Sequence, residues 1–164
     1  KAGISVLILD ALKGFLPVLL LAGLIIPKTN LSPEIIYILL GISCIAGHNW
    51  TIFLRFKGGK GIATTLGVLI AFAFKINGLN IILAMLILTW LLSFILFRIV
   101  SLASVIAGCA LPIYMLIFQQ SRVMLLSAFL LAFLVILRHK PNLIRLFQGR
   151  EPQLNFHQKS KAEK

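Results

Sequence analysis

Carboxylates are nearly absent from this sequence: Asp10, Glu34, Glu151 and Glu163 stand against 16 Lys and Arg in 164 residues. That scarcity argues against catalysis by paired carboxylates. Cysteine is scarce too, and Cys44 and Cys109 both lie inside apolar runs, where they read as small buried hydrophobes with no disulfide or metal role. No Cys/His cluster has metal-ligand spacing, so no metal site is expected, and no Gly-x-Ser-x-Gly elbow occurs. The four-residue His-to-Asp spacing of many acyltransferases is also missing, since Phe53, Ile144 and Ala162 follow His48, His139 and His157 at that interval. Charged residues make up 12% of the chain where a soluble domain carries about a quarter. What is abundant is apolar: 60% of the residues are hydrophobic and the mean hydropathy is +1.04, which excludes ordinary soluble, disordered and collagenous classes.

A bilayer core of about 30 Å takes about 20 apolar residues to cross as a helix. Six runs bounded by charge, Pro or Gly approach that length, at 4–26, 35–53, 62–74, 79–97, 102–118 and 123–137, the third and sixth being short. The expected fold is therefore an all-α polytopic membrane bundle of six crossings, with one membrane domain over 1–149 and a basic, disordered tail over 150–164. Short loops alternate in basic content. One side holds Lys1, Arg55, Lys57, Lys60, Arg98, Arg138, Lys140, Arg145, Arg150, Lys159, Lys161 and Lys164, the other Lys28, Lys75 and Arg122, which assigns the first side to the cytoplasm. The net charge of +12 follows from that topology and not from a nucleic-acid patch, so no nucleic-acid partner is expected and membrane lipids are. The chain opens on Lys1 with no cleavage pattern before the first run, so it is expected to lack a signal peptide and to be missing its start.

Three polar segments fall on the cytoplasmic side. Phe56-Lys57-Gly58-Gly59-Lys60-Gly61-Ile62-Ala63-Thr64-Thr65 places three glycines and two lysines before a helix, where free N–H groups and the positive dipole end bind anions, with Lys60 as a point charge and Thr64 and Thr65 as hydroxyl donors. It is not a nucleotide P-loop, because Gly61 follows Lys60 and Leu54 occupies the first glycine position. The second segment brings Ser101 and Ser104 to one helix face. The third, 138–145, is expected to turn at Lys140, with Pro141 opening a new short interfacial helix on which Ile144, Leu146 and Phe147 form one side. None of the carboxylates lies in these segments, so the chemistry is expected to run on cations, hydroxyls, His139 and backbone N–H groups, a set suited to a phosphate-bearing substrate. Inside the first run Asp10 and Lys13, one turn apart, are expected to form a structural ion pair.

Gly47-His48 with Phe53 and the Phe56 to Thr64 stretch closely resemble the signature of the bacterial acyl-phosphate-dependent glycerol-3-phosphate acyltransferases, the PlsY family. Val100-Ser101-Leu102-Ala103-Ser104 looks like that family's second cytoplasmic motif, and Arg138-His139, Asn142, Arg145-Leu146 and Gly149-Arg150-Glu151 look like its third. The resemblance implies an inner-membrane enzyme that moves a fatty acyl group from acyl phosphate to the 1-hydroxyl of glycerol 3-phosphate, giving lysophosphatidic acid without metal, CoA or other cofactor. By the same resemblance Lys60 and His139 are the catalytic candidates, Gly58, Gly59 and Gly61 hold phosphate, and Ser104 and Asn142 contact substrate, to which the reading of the segments adds Thr64 for phosphate and Ser101 for substrate. A monomer is the expected state. The family has seven crossings, and this sequence starts just after its first motif loop, so one crossing of the seven is expected to be absent here. Trp50-Thr51, Arg55 and Pro141 depart from the usual pattern. Two other classes fit the composition: an organic-anion or phosphate transporter, disfavoured because the polar groups crowd one rim, and a non-catalytic membrane scaffold.

Overall fold

The computed structural model describes residues 2–56 and 58–154, and among them the chain is helical without strands. The helices are α1 (Ala2–Ile25), α2 (Pro33–Asn49), α3 (Ile62–Ala73), α4 (Leu79–Phe97), α5 (Val100–Ile117) and α6 (Arg122–Phe147). Four of them, α1, α4, α5 and α6, are long and apolar enough to cross a membrane. Their outward Leu, Ile and Phe side chains, such as Leu24, Ile95, Leu126 and Phe133, are more than half exposed, as lipid-facing residues are. The protein is a multi-pass membrane bundle. One group is α1 packed on α2 and α3; the other is α5 between α4 and α6; α3 touches α4 and α2 touches α6 to join them.

Local chemistry sets the helix starts away from the loop-rich end. Ser32 caps α2 by accepting the Ile35 N–H with Pro33 next in line, and Ser121 caps α6 by accepting the Met124 N–H. The Ser121 hydroxyl also donates to Glu34 at 2.6 Å, tying the two starts together.

Two expectations are corrected. The second run does not continue to residue 53: α2 ends at Asn49, a short 3-10 turn covers Ile52–Leu54, and Arg55 and Phe56 take left-handed φ of 52° and 62°. The Asn49 carbonyl accepts the Gly58 N–H at 3.2 Å, so the chain must double back there although Ile52 and Leu54 keep the run apolar. The sixth run is neither short nor broken at Lys140, because α6 continues through Pro141 to Phe147 with no separate interfacial helix. Proline removes one helical hydrogen bond. Arg138, Asn142 and Arg145, spaced i, i+4, i+7, all bond to other segments from one face, and only a continuous helix keeps them in line.

Candidate functional site

The α2–α3 loop, the α4–α5 turn and the end of α6 converge at one end of the bundle, and hydrogen bonds stitch them together. Arg138 of α6 donates through Nη2 to the carbonyls of Gly58 (2.9 Å) and Gly59 (2.7 Å) and through Nε to Gly59 (3.2 Å), with its guanidinium 5.4 Å above the Trp50 ring. From Gly59 to Thr64 no backbone N–H has a hydrogen-bond partner among the described residues; the first helical bond of α3 is Thr65 N–H to the Gly61 carbonyl. Gly61 caps α3 at φ +78°, a conformation that suits glycine, and a β-carbon there would strike the buried Asn49 amide. The result is a row of outward donors with Lys60 beside it. Loss of water around Lys60 pulls its ammonium pKa down, Glu151 pulls it back up, and Arg145 adds to the lowering.

Among the residues singled out in the sequence, His139 and Asn142 are buried at 1% and 6% exposure and face into the bundle. The His139 Nδ1 lies 2.9 Å from the Val135 carbonyl, which can only accept, so Nδ1 carries a proton, and in the neutral ring Nε2 keeps its lone pair. The charges of Lys60 and Glu151 both act on this imidazole. Ser104 donates to the Val100 carbonyl (2.9 Å) and accepts from the Trp90 indole (3.2 Å). Thr64 is fully buried with its methyl and carbonyl toward Gly14 of α1, and its hydroxyl has no partner among the described residues. It lies at the α1 crossing, while Thr65 lines the groove described below.

Glu151 corrects the expectation that no carboxylate reaches these segments. Its side chain, 5% exposed, accepts from Ser101 Oγ (2.6 Å) and Asn142 Nδ2 (2.6 Å) on one oxygen and from Arg145 Nε (2.8 Å) on the other. Burial alone would raise its pKa, but these three donors and the Arg145 charge bring it down to about 2. Leu154 N–H bonds the Arg98 carbonyl, so residues 151–154 run back across the α4–α5 turn instead of leaving as the free tail expected from residue 150; 155–164 lie outside the described residues. The signal available in the sequence was Gly149, with φ +67° just past α6, which lets the chain reverse toward Glu151. Asn49, near the end of one apolar run, and Trp90, in the middle of another, also went unmarked.

Away from the donor row a groove of about 390 Å³ opens between α3 and the second group of helices. Its wall is almost wholly apolar, from Leu66, Leu83, Ala107, Leu131 and others, while Ile62, Ala63 and Thr65 of α3 and Ser104 place its end against the anion-facing turn. On the opposite side of that turn the expected pair is present, with Lys13 Nζ 2.6 Å from Asp10, and His48 Nδ1 lies 3.7 Å from the same carboxylate. Among the described residues no three of His, Cys, Asp and Glu gather as metal ligands.

A family model described as glycerol-3-phosphate acyltransferase matches residues 1–149. Among curated relatives of that name, one from Geotalea daltonii is 38% identical over 92% of this chain and 72% of its own length, and one from Legionella pneumophila strain Corby is 36% identical over 94% of this chain and 51% of its own. The chain thus spans about half the length of the Legionella relative. A crystal structure of PlsY, an integral membrane glycerol 3-phosphate acyltransferase in its glycerol 3-phosphate form, superposes with a TM-score of 0.80 at 32% identity, over 94% of this chain and 72% of that one.

Proposed function

The chain belongs to the glycerol-3-phosphate acyltransferase family, and from that premise we propose that it transfers a fatty acyl group from acyl phosphate to the sn-1 hydroxyl of glycerol 3-phosphate, releasing lysophosphatidic acid and inorganic phosphate. The observation that carries this reading is the junction of two elements. A row of N–H groups with no partner among the described residues lies beside Lys60 and ends where an acyl-sized apolar groove begins, so one molecule with a phosphate head and a hydrocarbon tail can occupy both.

In this reading the acyl chain lies in the groove and the donor phosphate sits on the N–H groups of Gly59 to Thr64 with Lys60, while Gly58 shapes the turn behind them. Thr64 contributes through its backbone, since its hydroxyl is buried at the α1 crossing. The glycerol oxygen attacks the acyl carbonyl carbon, a new C–O ester bond forms, and the bond from that carbon to the phosphate oxygen breaks. The hydroxyl proton passes to His139 Nε2 or to the departing phosphate. Lys60 and the N–H groups stabilise the negative charge as it develops. Ser101, Ser104 and Asn142 border glycerol 3-phosphate, with Glu151 fixing the first and last of these. The excess of Lys and Arg at this end supports a site on the cytoplasmic face of a bacterial inner membrane.

The test is transfer to radiolabelled glycerol 3-phosphate by the purified protein, with palmitoyl phosphate or palmitoyl-CoA as donor. Product from the phosphate donor alone is the expected result. Equal use of the CoA donor removes the donor assignment, and a folded protein that makes no product from either removes the activity.

A further inference from the structure

We infer that Arg138 is a positioning residue for the α2–α3 loop, turning two successive peptide groups so that their N–H groups face the substrate phosphate. The inference rests on reading that loop as the phosphate site. Both carbonyls that Arg138 binds, Gly58 and Gly59, belong to adjacent peptide units, and no cis peptide occurs among the described residues. In a trans peptide the C=O and the following N–H point in opposite directions. Drawing the Gly58 and Gly59 oxygens toward α6 therefore sends the N–H groups of Gly59 and Lys60 the other way, to join those of Gly61, Ile62, Ala63 and Thr64 at the start of α3. The Gly58 N–H is held by the Asn49 carbonyl, and Gly59 lies so close to the His48 imidazole that a β-carbon there would collide with Nε2. The loop is thus gripped by α2 from behind and by α6 through its oxygens, leaving the N–H groups of Gly59, Lys60 and Gly61 without a partner among the described residues.

The residue type matters. Three bonds in one plane together with stacking on Trp50 need the flat, forked guanidinium, which a lysine ammonium cannot reproduce. With Nε and Nη2 committed to carbonyls, Arg138 acts on the anion through the loop. It also directly precedes His139, so the helix that carries the imidazole sets the pose of the donor row.

Purified protein in detergent, wild type against Arg138→Lys and Arg138→Ala, tests this through KM and kcat for both substrates, thermal midpoint and inorganic phosphate binding followed by phosphorus NMR. Arg138→Lys is expected to raise KM for the phosphate-bearing substrates and weaken phosphate binding by about tenfold, with kcat and the thermal midpoint unchanged. Millimolar guanidinium, but not ammonium, restores affinity to Arg138→Ala. A folded Arg138→Lys with wild-type KM and phosphate affinity overturns the inference, as does a loss confined to kcat and thermal midpoint. A wild type that binds phosphate but makes no product removes the acyltransferase reading, while weaker binding in Arg138→Lys still upholds the role of Arg138. A folded wild type that binds no phosphate overturns the inference whatever its activity.

Discussion

Towards α1, helix α3 presents Gly67 and the backbone of Thr64, so tightly that a β-carbon at Gly67 would strike the Ala11 carbonyl and one at Gly14 the Thr64 carbonyl. Towards α4, α5 and α6 the same helix presents Ile62, Ala63, Thr65 and Leu66 to an open groove. The contrast has a physical cause. In lipid no hydrophobic force drives helices together, and close backbone approach through small residues supplies the packing energy. A helix of 12 residues is too short to hold its place by propensity. The glycine seam fixes α3 from one side, which lets the other side stay open and holds its N-terminal N–H groups steady for a ligand.

Closing the seam to side chains should have the largest effect. Gly67→Leu places four carbons against the α1 backbone, which cannot swing aside, and we expect no folded, monodisperse protein by size exclusion in detergent. Gly67→Ala should lose about 3 kcal/mol, whereas Gly23→Ala on α1, with open space around it, should change stability by less than about 1 kcal/mol. Equal thermal midpoints for the two alanine variants would show that the seam is not what holds α3. Next in size, Lys60→Ala should lower kcat/KM for glycerol 3-phosphate about 10²- to 10³-fold with the thermal midpoint retained, because under the proposed function its charge serves the substrate and it makes no hydrogen bond or ion pair among the described residues. A comparable drop in midpoint would assign Lys60 to the seam side of the comparison, as a structural group.

Both faces of α3 differ in how far the sequence discloses them. The loop with its three glycines and Lys60 is local: a few residues and one helix start carry the whole signal, and Gly58, Gly59, Lys60 and Gly61 stand where that pattern puts them. Ser101, His139 and Asn142 were marked as polar residues at the ends of apolar runs, and the bundle brings them to one end. Arg138 was marked only by its place beside His139 in the third motif and drew no role of its own, since its partners are carbonyls some 80 positions away and backbone oxygens leave no trace in a sequence. Glu151 entered only through the Gly149-Arg150-Glu151 part of the third motif and was discounted because it lies outside the three polar segments, and only the reversal after Gly149 returns it to Ser101. Pro141 misled for the opposite reason. A local rule about proline outweighed the i, i+4, i+7 spacing of Arg138, Asn142 and Arg145, which already marked a helix running through it. The groove had no local signal at all, being formed by apolar residues on five helices that individually read as lipid-facing.

The open face can be filled without touching the seam. Ala107 lines the groove from α5, and Ala107→Phe should lower the rate with palmitoyl phosphate about tenfold relative to decanoyl phosphate, a difference on the scale of a few methylenes of binding energy. An unchanged ratio would place the acyl chain elsewhere.

The smallest expected effect concerns the polar end of the groove, where Glu151 holds Ser101, Asn142 and Arg145. Its pKa near 2 in the folded protein, against an ordinary 4.5, means that between those values the unfolded chain binds a proton that the folded chain does not. The stability Glu151 contributes is therefore fully present above about pH 4.5 and is lost as the pH falls toward 2. At pH 7 Glu151→Gln should lower the thermal midpoint by about 4 °C, and the gap from wild type should narrow steadily on acidification below 4.5. Because the carboxylate bonds α5 to α6 and makes no hydrogen bond to α3 among the described residues, this loss should leave the Gly67 seam intact: Gly67→Ala and Glu151→Gln should add in the double variant to within about 0.5 kcal/mol. Strong non-additivity would mean that the strap after Gly149 and the glycine seam brace one another through α3, and that the helix has no independent closed and open sides.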